Sequence, residues 1–583
     1  MPNDRNQDVA VVGSPSTNTE LTVDLLQEAT EERLVGALTA FEAVQDGHPI
    51  TCVGQIVGIE LKNRWHEDSV FRNLVKRTGE IPPITNRQDT RTAGLVVGAT
   101  FRQTTNGYEP DVLGMVPPTG TRVYRVDQDL LDRLLSVYQS EIVYLGRAYA
   151  NDVFYPMWFK HFGSGAGGAG EAYHLGVFGK TGSGKSGLAK MMLCAYARHP
   201  QMGILIIDPQ GEFSDELSGV RRGHQGLALD EVVRNLGRPI QRYRIVDLQL
   251  DTWDLFQELL IVRRFIQDHL DVRGADNIPL AAEYIREGLQ RAGTTLPHLA
   301  SLDALRAALN IVSQRANRIY TGQARAAQLQ DRVNTILNSE LDTTFENGWR
   351  PIADLFRSGQ GRRTLFGIVR DLIQSEGAGQ PRPVVVIDIS EEGNPGLWAE
   401  EIERRVMTRL LNVLIIQSAQ RSRRQEGANV LVMIDEAARH APSGRIDAGS
   451  EADVLRKVLR NAVRETRKYG LGWFFISQTL GGLDNELLQQ LRILVFGFGL
   501  AMGSEFDRLR DFVGGDKRAL ELYQSFRDPQ SFPRRDLQEF PFMAVGPVSP
   551  LAFSGKPLFF TAFTDSQEFL RVNGLEPVSH DGT

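Results

Sequence analysis

The octapeptide GKTGSGKS at 179–186 constrains this chain more than any other stretch. It fits the pattern G-x-x-x-x-G-K-[ST], and it sits in the context that pattern needs. The apolar run YHLGVF (173–178) leads in as a buried strand, and SGLAKMMLCAYARHP leads out as a helix stopped near Pro200. Gly179, Gly182 and Gly184 let the backbone curl so that its N–H groups point at phosphate oxygens. Lys180, Thr181, Ser183 and Gly187 complete the cradle. Lys185 is placed to reach β- and γ-phosphates, and Ser186 to hold Mg²⁺ through its hydroxyl.

A strand, loop and helix of this kind belong to a parallel sheet, and more strands follow. MGILIID (202–208), PVVVID (383–388), NVLVMID (429–435), GWFFIS (472–477) and ILVFGFG (493–499) are apolar runs alternating with helical stretches, one from Trp398 to about Gln420. The spacing predicts an α/β protein with a parallel-rich sheet and helices on both faces. The interval 225–370 reads as an inserted helical subdomain, from the apolar spacing of WDLFQELLIVRRFIQDHL, LAAEYIREGLQ and LDALRAALNIVSQRANRIY. Upstream, HPITCVGQIVGIEL, AGLVVGATF and TRVYRV are β-rich and too closely spaced for helical crossovers, with a hairpin turn expected at Asn106-Gly107.

The resulting divisions are a mobile, polar N-terminus (1–30), a β-barrel-like domain (31–160), a Gly-rich linker (161–171), two core segments (172–224 and 371–550) around the insertion (225–370), and a C-terminal extension (551–583). The linker contains GSGAGGAG, in which Gly165, Gly167 and Gly170 fit the dinucleotide fingerprint G-x-G-x-x-G. That fingerprint needs a helix opening directly on it. A strand-like run follows instead, so the stretch reads as slack between domains.

Two cysteines among 583 residues, Cys52 and Cys194, stand in no metal-ligand spacing and suit a reducing cytoplasm. No signal peptide or membrane-length apolar run is expected. The net charge of −7 argues against a wide nucleic-acid-coating face and confines any such contact to a channel or rim.

Two acids answer the cradle downstream. The strand NVLVMID delivers Asp435 and Glu436 to its C-terminal end, where ligands sit in open α/β sheets. Asp435 is expected in the Mg²⁺ shell, through water, and Glu436 as the general base for an attacking water. Asp208 and Glu212, in IIDPQGEF, face the γ-phosphate side or merely cap a turn. Gln478, just past GWFFIS, is placed to contact the γ-phosphate or its water. Arg460, Arg464, Arg467 and Lys468 repeat at helical spacing, either as a solvated face or as a source of an arginine finger for a neighbouring subunit.

With the P-loop, IIDPQGEF, VMIDEAARHAP, RETRKYG and ISQ in this order, the chain resembles the HerA family of hexameric DNA-translocating ATPases, on the HerA–FtsK branch of P-loop ATPases. The D-P-x-G-E-[FY] turn and the DEA…P segment narrow the likeness. It implies a RecA-like core over about 171–550 and a HAS-type N-terminal barrel. It implies Lys185 and Ser186 on phosphate and Mg²⁺, Asp208 as the acid after the second strand, Asp435 and Glu436 as Walker B, Gln478 as sensor, and Arg464 or Arg467 as the trans finger. ATP and Mg²⁺ are the implied cofactors. The implied partners are a homo-hexamer, double-stranded DNA in its pore, and a separate NurA-like nuclease or a sirtuin-like or other effector subunit, in end resection or phage defence, with no membrane. The chain departs from the family pattern at His440, which is shifted, at EAYHL, which lacks a basic residue, and at the longer 441–452 loop. A nucleotide-sensing scaffold ring with little translocation is the alternative; a conjugative coupling ATPase and an ABC-type ATPase fit less well.

Overall fold

The computed structural model describes residues 8–79, 88–105, 107–220, 226–359, 361–374, 379–396, 398–552 and 556–576. Its first layer is a β-barrel. Strands β1 (Asp8–Val12), β2 (Glu20–Leu25), β3 (Leu38–Gln45), β4 (His48–Asn63), β5 (Asp89–Thr104) and β7 (Arg122–Arg125) close in the order β2-β1-β7-β3-β4-β5, with β2 pairing back onto β5. Strand β6 (Gly107–Asp111) hangs on β5 as a hairpin, Thr104 opposite Gly107. Asn106, the other half of the expected turn, lies outside the described residues.

The polar N-terminus is corrected here. Residues 8–25 are barrel strands, in which Val9, Ala10, Val12, Leu21 and Val23 face the core while polar neighbours face out. The alternation in β2 has the period of a one-sided strand, and its acidic residues Glu20 and Asp24 masked it. Residues 1–7 lie outside the described set.

The second layer is an eleven-stranded sheet. Its parallel half runs β12 (Ile240–Arg244), β15 (Val384–Asp388), β11 (Gly203–Asp208), β16 (Val430–Ile434), β17 (Leu471–Ser477), β10 (Leu175–Phe178) and β18 (Ile493–Gly497). Apart from the edge strand β12, these strands are buried along their length and almost wholly apolar, because helices cover both faces. Helix α1 (Lys185–Ala197) leaves the P-loop, α2 (Glu400–Ser422) follows β15, and α3 (Glu451–Glu465) precedes β17. Beyond β18 the sheet turns antiparallel through β19 (Phe540–Val545), β20 (Leu558–Ala562), β8 (Ile142–Ala148) and β9 (Phe154–Trp158).

Two boundaries therefore shift. Strands β8 and β9, assigned from sequence to the barrel domain, complete the large sheet, and β12, assigned to the insertion, forms its far edge. The insertion proper is helical from Trp253, with long helices Asn277–Arg291, Leu302–Ile319 and Gln323–Thr335 and a short ribbon of β13 (Leu248–Gln249) and β14 (Arg363–Thr364) at its base. Trp349 anchors it, fully buried and donating from Nε1 to the Leu299 carbonyl at 2.8 Å.

The expected linker is not slack. Ala169 N–H donates to the His161 carbonyl (2.7 Å), Gly170 N–H to Gly163 (3.1 Å) and Gly168 N–H to Gly165 (3.0 Å). His161 Nε2 lies 3.0 Å from the Ala166 carbonyl, and Phe162 N–H donates to Asn429 Oδ1 at 2.9 Å. The run is a folded knot against the edge of the sheet. The barrel is likewise clasped to the sheet: Gln55 donates to the Phe559 carbonyl on β20 (2.9 Å) and accepts from its N–H (3.0 Å).

Candidate functional site

The C-terminal ends of β10, β11, β16 and β17 carry the site. Parallel register sets Phe178 level with Ser477 and Ile207 level with Ile434, so the loops that follow emerge side by side. Gly179 N–H donates to the Ser477 carbonyl (3.3 Å) and Lys180 N–H to Phe498 (3.1 Å), which fixes the base of the cradle. Gly182 and Gly184 adopt φ of +83° and +84°, a region that disfavours side chains. A Cβ on Gly179 would meet Ser183 Oγ at 2.5 Å.

Within this curl, the N–H groups of Thr181, Gly182, Gly184, Lys185 and Ser186 find no acceptor among the described residues. Five such donors at the N-terminus of α1 make a nest for an anion. Lys185 is buried at its mouth and Ser186 is half-buried. Ser183 is fully buried with its hydroxyl unpartnered, Lys180 is exposed, and Gly187 is open on one side.

A chain of side-chain hydrogen bonds joins this cradle to the acids. Thr181 Oγ1 donates to Gln478 Oε1 (2.9 Å), and Gln478 Nε2 donates to Glu436 Oε1 (2.7 Å). Glu436 sits at φ +45°, uncommon for a non-glycine residue, and this turns its carboxylate out of the strand direction. Asp435, 3% exposed, accepts from the Glu436 N–H at 2.9 Å.

Asp208 is fully buried beside it and accepts from Ser214 N–H at 2.8 Å. Burial, reinforced by neighbouring carboxylates, pushes Asp435 up to about 7 and Asp208 up to about 6. Glu212, by contrast, is drawn aside by Lys190 of α1 at 2.8 Å, with Glu216 on the same ammonium at 2.7 Å.

The donor set fits Mg²⁺. Two buried carboxyls repelling one another beside a phosphate nest are the surroundings a divalent cation relieves. Among the described residues no three His, Cys, Asp or Glu converge as ligands. Mg²⁺ bound mainly through phosphate and water asks for few protein ligands, which Ser186 and Asp435 would supply.

The four cations of the arginine repeat separate. Arg460 is committed inside the fold, bridging Asp484 (2.5 Å) and Glu486 (2.8 Å). Lys468 lies over the Tyr469 ring at 5.2 Å. Arg464 and Arg467 are 59% and 64% exposed, in weak contacts with Glu465 and Glu171. Both precede β17, at the N-terminal edge of the sheet, whereas the cradle lies at the C-terminal edge. The seven residues of β17 separate the two edges by roughly 20 Å. Neither arginine reaches the phosphate nest of its own chain.

His440 is buried behind the acids with Nδ1 3.3 Å from Glu403 Oε1, and burial holds it neutral, down to about 3. Sequence reasoning missed Pro529, Gln530, Gln538 and Phe540, which line the cleft beside the cradle. They come from a loop leading into β19, and no local pattern marks them.

Residues 172–412 match the family described as "Helicase HerA, central domain". No curated protein matches the chain. Among solved structures, VirB4 of Thermoanaerobacter pseudethanolicus is similar over 73% of this chain and 97% of that one, at 15% identity and a TM-score of 0.35. The genome packaging NTPase B204 from Sulfolobus turreted icosahedral virus 2, in complex with AMPPCP, covers 67% of this chain and 98% of its own, at 10% identity and a TM-score of 0.28. The pCW3 conjugation coupling protein TcpA, in its monomer form with ATPgS, covers 91% and 92%, at 10% identity and a TM-score of 0.24. The family match takes in the phosphate nest, Asp208 and the helical insertion. Over those residues, built around the P-loop nest, the chain is similar to the central domain of the HerA helicases.

Proposed function

We propose that the protein is an ATP-hydrolysing ring motor, a homo-hexamer that moves double-stranded DNA through its pore and drives or gates a separate nuclease or effector subunit. The observation that carries this reading is the chain Thr181–Gln478–Glu436, which couples the phosphate nest to a carboxylate poised as a base.

The five free N–H groups and the Lys185 ammonium hold the β- and γ-phosphates and neutralise charge that grows there in the transition state. Mg²⁺, when bound with ATP, supplies further charge stabilisation on the phosphate oxygens through Ser186 and Asp435. Glu436 takes a proton from water as its oxygen attacks the γ-phosphorus and the bond to ADP breaks. Gln478 sets the Glu436 carboxylate for that transfer.

Arg464 and Arg467 support the ring. They stand at the edge of the sheet opposite their own nest, exposed, and only a neighbouring copy brings one of them to a γ-phosphate. The net charge of −7 fits a ring whose DNA contacts are restricted to its pore.

ATPase assays with and without duplex DNA, run beside native mass measurement, test the proposal. Turnover stimulated by duplex DNA in a six-subunit species is expected. An active ring indifferent to DNA would favour a nucleotide-sensing scaffold instead, and a fully active monomer would remove the ring from the mechanism.

A further inference from the structure

The cleft over the P-loop continues past the phosphate nest. Gly182, Gly184, Lys185, Ser186 and Gly187 form its floor, and Pro529, Gln530, Gln538 and Phe540 its far wall, enclosing about 420 Å³. That volume lies within the usual range for small-molecule sites.

The far wall is built, not incidental. Phe540 opens β19 and is pinned opposite Ala562 of β20. Its ring lies against Gly184, where a Cβ would meet Cδ1 at 2.6 Å. Pro529 is buried, and Asp528 caps the short turn after it, accepting from the Gln530 N–H at 2.9 Å. The Gln530 carboxamide reaches over Gly182 and occupies the place a side chain there would need. On the opposite side Gly187 leaves open space, since a Cβ on it would meet nothing within 4 Å. Among the described residues the lining holds one aromatic face, one prolyl ring and two carboxamides, with no carboxylate and no guanidinium. Neither carboxamide has a side-chain partner among the described residues.

We infer that this wall is the nucleobase seat, and that it selects purine nucleoside triphosphates by stacking on Phe540 and edge recognition by Gln538 and Gln530. The inference rests on the ATPase reading above and deepens it. A ring face next to a phosphate nest suits a flat heterocycle, and a purine offers more stacking area than a pyrimidine. A carboxamide presents a donor and an acceptor side by side, which matches the amino group and adjacent ring nitrogen of adenine. Because both carboxamides are free to rotate, they also match the oxo edge of guanine. The seat therefore discriminates purine from pyrimidine more strongly than adenine from guanine.

Calorimetric titration of the full chain with ATP, GTP, CTP and inorganic tripolyphosphate, all with Mg²⁺, tests this. Wild-type protein is expected to bind ATP and GTP more tightly than CTP. Phe540→Ala should weaken ATP and GTP about tenfold or more while tripolyphosphate stays within about twofold, and Phe540→Tyr should keep wild-type affinities. Gln538→Ala should weaken ATP several-fold, again sparing tripolyphosphate. Equal losses for ATP and tripolyphosphate in Phe540→Ala, or wild-type protein that binds CTP as tightly as ATP, would overturn the seat alone. Wild-type protein that binds neither ATP nor tripolyphosphate would overturn both the seat and the reading beneath it.

Discussion

The glycine-rich loops 163–170 and 179–186 are neighbours in sequence and use their backbones in opposite ways. The first spends its N–H groups on its own carbonyls and on His161, closing into a knot. The second anchors its base to β17 and the loop after β18 and leaves five N–H groups free. Glycine allows both outcomes, since positive φ occurs at Gly167 and Gly170 as well as at Gly182 and Gly184. The frame decides between them. A strand behind and a helix ahead hold the second curl open, whereas the first has no helix to aim its donors outward.

The largest expected break in this comparison is Lys185→Ala, which should lower ATP turnover by about a thousandfold or more. The same turnover assay should register no change for Gly165→Ala in the first loop. Next comes Arg467→Ala, expected to cost about a hundredfold or more in turnover with Kd for ATP unchanged. Mixing it with Lys185→Ala subunits should restore part of the activity, each supplying what the other lacks; no restoration in mixed rings would sink the trans assignment of Arg467.

Asp435→Asn probes the charge behind the nest. Burial raises the Asp435 carboxyl from 3.8 to about 7, so between those values the unfolded chain has released a proton that the folded one keeps. Folded stability through this group therefore falls as pH rises across that window. Asn carries no such charge. The nucleotide-free variant should melt above wild type at about pH 8, by an amount on the order of a few kcal/mol, and match it near pH 4. A variant that melts below wild type at the higher pH would contradict the assigned cause.

Gly168→Ala sharpens the contrast from the other loop. A Cβ there collides with the Gly163 carbonyl, so about 1–3 kcal/mol of stability should be lost, read as Tm, with ATP affinity intact. At Gly165 nothing lies within 4 Å, and Gly165→Ala should stay within about 0.5 kcal/mol. Smallest is Thr181→Val, which removes the hydroxyl that orients the Gln478 carboxamide. A loss of about fivefold to tenfold in kcat with KM nearly unchanged is expected. Unchanged kcat would show that Gln478 needs no such guide.

What could be read in the sequence was what local pattern encodes. Buried parallel strands are unbroken apolar runs, so β10, β11, β15, β16, β17 and β18 announced themselves, and the P-loop and the Asp435–Glu436 pair came with them. Strands β1 and β2 did not, because one wall of a small barrel faces solvent: half the residues of β2 are polar, and β1 is only five residues long. Strands β8 and β9 fell inside the barrel domain read from sequence and could not be seen as members of the large sheet, since β20, the partner of β8, lies at the other end of the chain. Arg460 could not be told from Arg464 and Arg467 until Asp484 was seen beside it. Gln530, Gln538 and Phe540 carried no signal of a place beside the nest, being gathered to it only by the antiparallel extension of the sheet.

The Gln55 clasp on Phe559 has a consequence for how the polypeptide is made. It joins positions 504 residues apart, and Asn573 reaches back 429 residues to the backbone of Tyr144 on β8. During synthesis β8 and β9 emerge long before β20 exists to pair with β8. Their unsatisfied edge must wait, exposed to other nascent chains, until the last strands leave the ribosome. Contacts of such sequence separation form slowly, and the nest shares this delay, since the carbonyls of Ser477 and Phe498 that fix its base also emerge about 300 residues after it.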